Sequence, residues 1–123
     1  MLYIILGEDA PNSIEKRLAT RPAHQERLKL LEAAGRIVLG GPLPAIDSVE
    51  PGQAGYTGTL IVAEFPSLAQ AQAWAQADPY VTAGVFSSVL VRPFRKVYPP
   101  DWMTSEGHST SQFPGTACTR NSD

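Results

Sequence analysis

At 123 residues, with 43% hydrophobic and 18% charged side chains, the chain has the size and composition of one globular domain. A net charge of -2, with Lys and Arg interspersed among acids in EKR and QERLK, speaks against the clustered basic surface that nucleic acid or an anionic membrane requires. One cysteine and two histidines leave no intrachain disulfide framework and no convincing zinc ligand set.

No apolar run approaches the ~20 residues of a bilayer-spanning helix. The opening MLYIIL lacks the basic region and cleavage site of a signal peptide. A cytoplasmic protein without metal or organic cofactor is therefore expected.

In chain order, Leu2–Leu6 is an almost wholly apolar first strand, broken by GEDAPNS. Ser13 can cap a helix on which Ile14 and Leu18 stand four apart. Proline fits best in a first turn, so Pro22 predicts a short helix before it and a longer one over Pro22–Ala34, stopped by Gly35. Arg36–Gly40 forms the second strand and ends in a Gly40-Gly41-Pro42 turn. The Pro- and Gly-rich PLPAIDSVEPGQAGYTG is a loop, and Thr59–Phe65 is the third strand. Ser67 caps SLAQAQAWAQA, where Leu68, Ala71, Trp74 and Ala75 recur at helical spacing, so Trp74 is expected to pack on the core. Asp78-Pro79 makes a cap and first-turn pair for PYVTAG, and Val85–Phe94 is the last strand.

The order β-α-β-β-α-β is the ferredoxin-like α+β unit, one antiparallel sheet with both helices on one face. Its other face would expose apolar residues, because Leu2, Ile4 and Leu6 alternate with Tyr3 and Ile5, and Leu60 and Val62 with Ile61 and Ala63. Pairing two such sheets removes that exposure, so a homodimer is expected. Residues 1–98 form the domain, and the Ser-, Thr-, Gly- and Pro-rich 99–123 is expected to be a flexible extension. Trp102, Met103 or Phe113 could dock from it. His108 and Cys118 fall inside it and receive no metal or nucleophile role.

His24 is then the one histidine of the folded part. Steps of three and four join Arg17, Arg21, His24, Leu28 and Leu31 in a single stripe. In the first turn of a Pro22 helix, the helix dipole and the arginines both disfavour the imidazolium. A neutral ring can accept a proton, and a carboxylate on its other nitrogen would fix the tautomer. Asp9, Asp47 and Asp78 are the candidates. The two helix starts are expected at one end of the unit and Asp78 at the other, so pattern does not choose among them. Arg17 and Arg21 are suited to an anionic substrate, Gly41 and Pro42 to close approach of a ligand to the backbone, and Asp47-Ser48 to a lid.

The segments EKRLATRPAHQERLKLLEAAGR, GGPLPAIDS, AGYTGTLIVAEF, AWAQADPYVTAGVF and VRPFRKVY resemble, in order and over roughly 1–98, the YciI (YCII-related) family. The resemblance implies a dimeric α+β barrel with a His/Asp-centred site: His24 in RPAH and Asp78 in ADPY, flanked by Arg17, Arg21 and Tyr80. It also implies kinship with proteins of aromatic degradation that eliminate chloride from chlorinated hydroxyquinols. The candidate site thus comprises His24 and Asp78 as the catalytic pair. Arg17, Arg21, Tyr80, Asp9, Gly41, Pro42 and Ser48 are its substrate-binding residues. An acid–base enzyme performing an isomerisation or elimination on a small organic acid or aromatic compound is one expectation; a non-catalytic small-molecule-binding or assembly module is the other.

Overall fold

In the computed structural model, which describes residues 1–100, alternation decides which side of each strand is buried. Along β1 (Leu2–Asp9), Tyr3, Ile5 and Gly7 are buried, whereas Leu2, Ile4 and Leu6 are only partly so, as the two-residue period of a strand requires. Next come β2 (Ile37–Pro44), β3 (Tyr56–Glu64) and β4 (Phe86–Phe94). They join β1 in one four-stranded antiparallel sheet, ordered β2-β3-β1-β4.

Tyr3 lies opposite Ala63, and Ile5 opposite Ile61. These side chains meet Leu31 of α1 (Ile14–Ala33) and Ala71 and Ala75 of α2 (Leu68–Gln76) in the core. Each large apolar side chain buried there contributes about 1.5–3 kcal/mol. Two glycines let the layers close. A Cβ on Gly58 would lie 2.2 Å from the Gly7 carbonyl oxygen, and one on Gly7 would lie 2.5 Å from the Phe86 ring.

The sequence expectation of two helices split at Pro22 is corrected: α1 is one 20-residue helix that runs through Pro22. Proline removes the bond to the carbonyl four residues back, that of Leu18. Pro22 and Leu18 are both exposed, so the freed carbonyl lies on the solvent side and the buried side stays continuous. The expected Gly40-Gly41-Pro42 turn is also corrected, since all three residues lie within β2 and pair with β3. This is an edge strand, where a residue without an N–H is tolerated. A single 3-10 turn at Gly52–Ala54 punctuates the loop that follows, and α3 (Pro79–Thr82) is one short turn after α2.

Helix direction is the third correction. Each helix runs back against the strand before it, and β1 and β3 are antiparallel. The two helices therefore run opposite ways, and the end of α2, not its start, comes alongside the first half of α1.

The face away from the helices carries the expected apolar strip. Leu39, Leu90 and Phe94 there are 50%, 42% and 38% exposed. Among the described residues, no helix is long and apolar enough to cross a membrane. The reading of the C-terminal extension, with Trp102, Met103, His108, Phe113 and Cys118, falls outside the described residues from 101 on.

Candidate functional site

The buried residues of α1 are Arg17, His24 and Leu31. Seven residues make nearly two turns, so the three form one stripe. Leu31 joins the core, while the other two bring polar groups inside, where each must find a partner.

Arg17 finds its partner in Asp9 at the end of β1. Nε and Nη2 donate to the two carboxylate oxygens at 2.8 Å each, and both side chains are 4% exposed. Nη2 also donates to the Thr59 hydroxyl at 2.8 Å. Such a bidentate pair is stronger than a neutral hydrogen bond and fixes the guanidinium plane. That plane stands 4.9 Å from the centre of the Tyr80 ring and 5.3 Å from that of Tyr56.

His24 sits ten residues after Ile14, about 15 Å along the helix at 1.5 Å per residue. It is therefore not in a first turn, and the helix-terminus field expected from the sequence does not reach it. Asp78 meets it from the corner between α2 and α3. His24 Nδ1 is 3.0 Å from Oδ1 and 2.9 Å from Oδ2 of a carboxylate that is 2% exposed. An ionised carboxylate only accepts, so Nδ1 carries the hydrogen and Nε2 is left as the acceptor. Nε2 has no hydrogen-bond partner among the described residues, and His24 lines a cleft.

Asp78 is held in turn. Its Oδ1 accepts the Tyr80 backbone N–H at 2.8 Å and so caps α3, as the Asp-Pro pair predicts. Its Oδ2 stands 3.5 Å from Nη1 of Arg27. The Arg27 guanidinium lies 4.1 Å over the Trp74 ring and donates from Nη2 to the Trp74 carbonyl at 2.8 Å. Burial pulls Arg27 below its ordinary value, and the Asp78 charge draws it back.

Tyr80 completes the wall. Its ring stacks on the imidazole at 4.1 Å and 14°, with Phe86 edge-on behind it at 5.3 Å. Burial holds its phenol above the usual value, against the charges of Arg17 and Arg21 and a hydrogen bond from Arg21. The phenol is therefore neutral across the physiological range.

These groups open on a cavity of about 320 Å³ between α1 and the β2–β3 edge. Arg17, Arg21, His24 and Tyr80 give it polar groups, Leu28 continues the α1 side, and Gly40, Gly41 and Pro42 border it from β2. Arg21 makes no ion pair among the described residues, so it supplies the cleft's unneutralised charge. No three His, Cys, Asp or Glu side chains among the described residues come together as a metal ligand set.

Of the sequence candidates, His24, Arg17, Arg21, Tyr80, Gly41 and Pro42 border this cleft, and Asp78 lies directly behind His24. Asp9 supports Arg17 from beneath and borders a neighbouring hollow instead. Ser48 stands apart on the exposed loop, its hydroxyl accepting the Glu50 N–H. Sequence reasoning missed Tyr56 and Thr59, which lie on a strand read as starting at Thr59, and Arg27, taken only as one of the cations interspersed among acids in QERLK. Its spacing of three from His24 was the available signal, because such residues share a helix face.

The YCII-related domain profile matches residues 1–95. Protein YciI of Escherichia coli O6:H1 is 57% identical over 98 residues, spanning 80% of this chain and 100% of that protein. An uncharacterized protein of Haemophilus influenzae is 50% identical over 98 residues, again 80% of this chain and 100% of that one. Among solved structures, the chain is similar to 5-chloro-2-hydroxyhydroquinone dehydrochlorinase from Burkholderia phenoliruptrix AC1100 in complex with 2,5-dihydroxybenzoquinone. That match has a TM-score of 0.70 at 26% identity and covers 82% of this chain and 100% of the other.

Proposed function

The chain belongs to the YCII-related domain family, and on that premise we propose that it is a small cytoplasmic enzyme whose acid–base group is His24, oriented by Asp78. It acts without metal or organic cofactor. The substrate is a small organic acid or an activated aromatic compound, and the reaction is an isomerisation or an elimination.

One observation carries this reading: the imidazole is anchored through Nδ1 to a buried carboxylate, with Nε2 left free on a cleft wall. A ring held this way takes a proton at Nε2 and returns it without turning. The structural relative's dehydrochlorination supplies a concrete case. Once ring tautomerisation places the chlorine on a tetrahedral carbon, the base removes a hydroxyl proton. The freed pair forms a carbonyl, the ring double bond shifts, and chloride leaves with the carbon–chlorine pair. The net change is loss of HCl, with no oxidant. Arg21 and the Tyr80 hydroxyl stand beside this proton path and favour an oxygen that gains negative charge.

The test is to incubate the protein with 5-chloro-2-hydroxyhydroquinone, following chloride and quinone absorbance. In parallel, enolisable organic acids are placed in deuterated water and exchange is followed by proton NMR. His24→Ala should lower the rate by about 10²–10⁴-fold with the fold intact. Undiminished turnover in that variant refutes the assignment. The capping bond to Tyr80 gives Asp78 a structural task of its own, which favours a second reading as a binding module. Binding of 2,5-dihydroxybenzoquinone with no conversion in either arm would select it.

The active form we propose is a homodimer joined through the open apolar face of the sheet. The exposure of Leu39, Leu90 and Phe94 supports this. Light scattering should give twice the chain mass of 13.2 kDa; a single-chain mass at working concentration would rule it out.

A further inference from the structure

We propose that Arg27 is a positioning residue for the His24–Asp78 pair, a fixed positive charge that holds the carboxylate in place and keeps the imidazole uncharged on its cleft side. The proposal rests on the reading of His24 as the acid–base group.

Asp78 accepts the His24 Nδ1–H between its two oxygens and the Tyr80 N–H on Oδ1. Arg27 meets the carboxylate by charge and not by a hydrogen bond. Its Nη1 is buried without a hydrogen-bond partner among the described residues, yet lies 3.5 Å from Oδ2. An unbonded buried N–H costs free energy, so its retention beside a carboxylate points to a through-space role. The indole face and carbonyl of Trp74 hold the guanidinium there from α2.

Among the described residues, no other Lys or Arg pairs with Asp78. Facing His24 on α1 are Arg17, whose charge is offset by Asp9, and Arg21, which borders the cleft and bonds the Tyr80 phenol. From the α2–α3 corner comes Asp78, from α3 Tyr80, and from β3 the neutral Tyr56 and Thr59. Alone, the Asp78 charge would favour a protonated imidazole. A counter-charge on its far side reduces that pull and leaves the hydrogen bond that sets the tautomer. His24 is thus aimed like a member of a strongly coupled ion pair and yet remains ready to accept a proton.

The test reads the titration of His24 by NMR of its ring nuclei, without substrate, in the full chain. Arg27→Met should raise the midpoint by about one pH unit, because an opposite charge is removed from Asp78 and a like charge from His24. Arg27→Lys, which keeps the charge but loses the planar stack, should return most of that shift. A merely structural role predicts the reverse pattern: lower melting temperatures for both variants and an unmoved midpoint. Should Met at this position compromise folding, Arg27→Gln removes the same charge, retains a donor for the Trp74 carbonyl, and should show the same rise. An unchanged midpoint in a folded, charge-free variant overturns the proposal, whatever the turnover. Full turnover in His24→Ala would overturn the acid–base reading and leave this titration result standing.

Discussion

Replacing Asp78 by alanine should be among the most damaging single changes in the chain, and its cost can be worked from its three partners. The Tyr80 N–H loses its cap, worth about 1 kcal/mol. The His24 Nδ1–H, on a side chain 6% exposed, loses its acceptor at roughly 1–2 kcal/mol. Arg27 loses its counter-charge. A fully buried pair broken on one side costs about 3–5 kcal/mol, but the Arg27 side chain is 21% exposed and also bonded to Trp74, so about 1 kcal/mol is a fairer share. The total is roughly 3–4 kcal/mol, a large part of the ~5–15 kcal/mol that holds a domain of this size together. Asp78→Asn keeps the shape and one acceptor oxygen, whose two lone pairs can serve both the cap and the ring, and should cost about 1–2 kcal/mol. Urea denaturation followed by circular dichroism reads both. At an m-value of about 1–2 kcal/mol per molar, the alanine midpoint should fall by roughly 1.5–4 M and the asparagine midpoint by roughly 0.5–2 M. If Asp78→Ala loses less than about 1 kcal/mol, the carboxylate is not the shared anchor described above.

Burial raises the Tyr80 phenol above its ordinary value of 10.0. The stability held by its neutral form is therefore fully present below about pH 10 and is lost as pH climbs through the higher folded midpoint. Stability-versus-pH curves of the wild type should show this alkaline decline and those of Tyr80→Phe should not; parallel curves would contradict it. Asp9→Ala leaves Arg17 charged and buried without its bidentate partner, and should cost about 3–5 kcal/mol. Much of that should return in a double variant with Arg17→Met, as a denaturation cycle would show. Gly40→Val should fold normally, because an added Cβ finds nothing closer than 3.7 Å, yet it should weaken binding of 2,5-dihydroxybenzoquinone in calorimetry by narrowing the cleft. Wild-type affinity in that variant would place the ligand elsewhere.

Strand centres were legible because apolar alternation marks them, while strand ends were not. β1 was read to Leu6 but runs to Asp9. Gly7 and Glu8 carry no hydropathy signal, and their pairing with Thr59 and Gly58 is a property of the partner strand. The Ser67 cap and the Asp78 cap could be read from local chemistry, since each acts within its own turn. Ser13 does occupy the N-cap position of α1, but its side chain makes no capping bond. Pro22 misled because its local cost argues for a break, whereas the buried stripe on the far side of the helix holds the rod together. The His24–Asp78 contact came from family resemblance. Pattern reasoning failed on it because it gave the two helices the same direction, although the antiparallel strands beneath them require opposite ones.

The unbroken α1 has a consequence for finding a ligand. Both cations of the cleft, Arg17 and Arg21, ride on that one rod with His24, while Asp9, which answers Arg17, and Asp78, which anchors His24, belong to other parts of the chain. Loosening the rod therefore dismantles the cavity, and a molecule bridging its two sides clamps the whole architecture. Thermal-shift screening should therefore report a bound molecule independently of turnover.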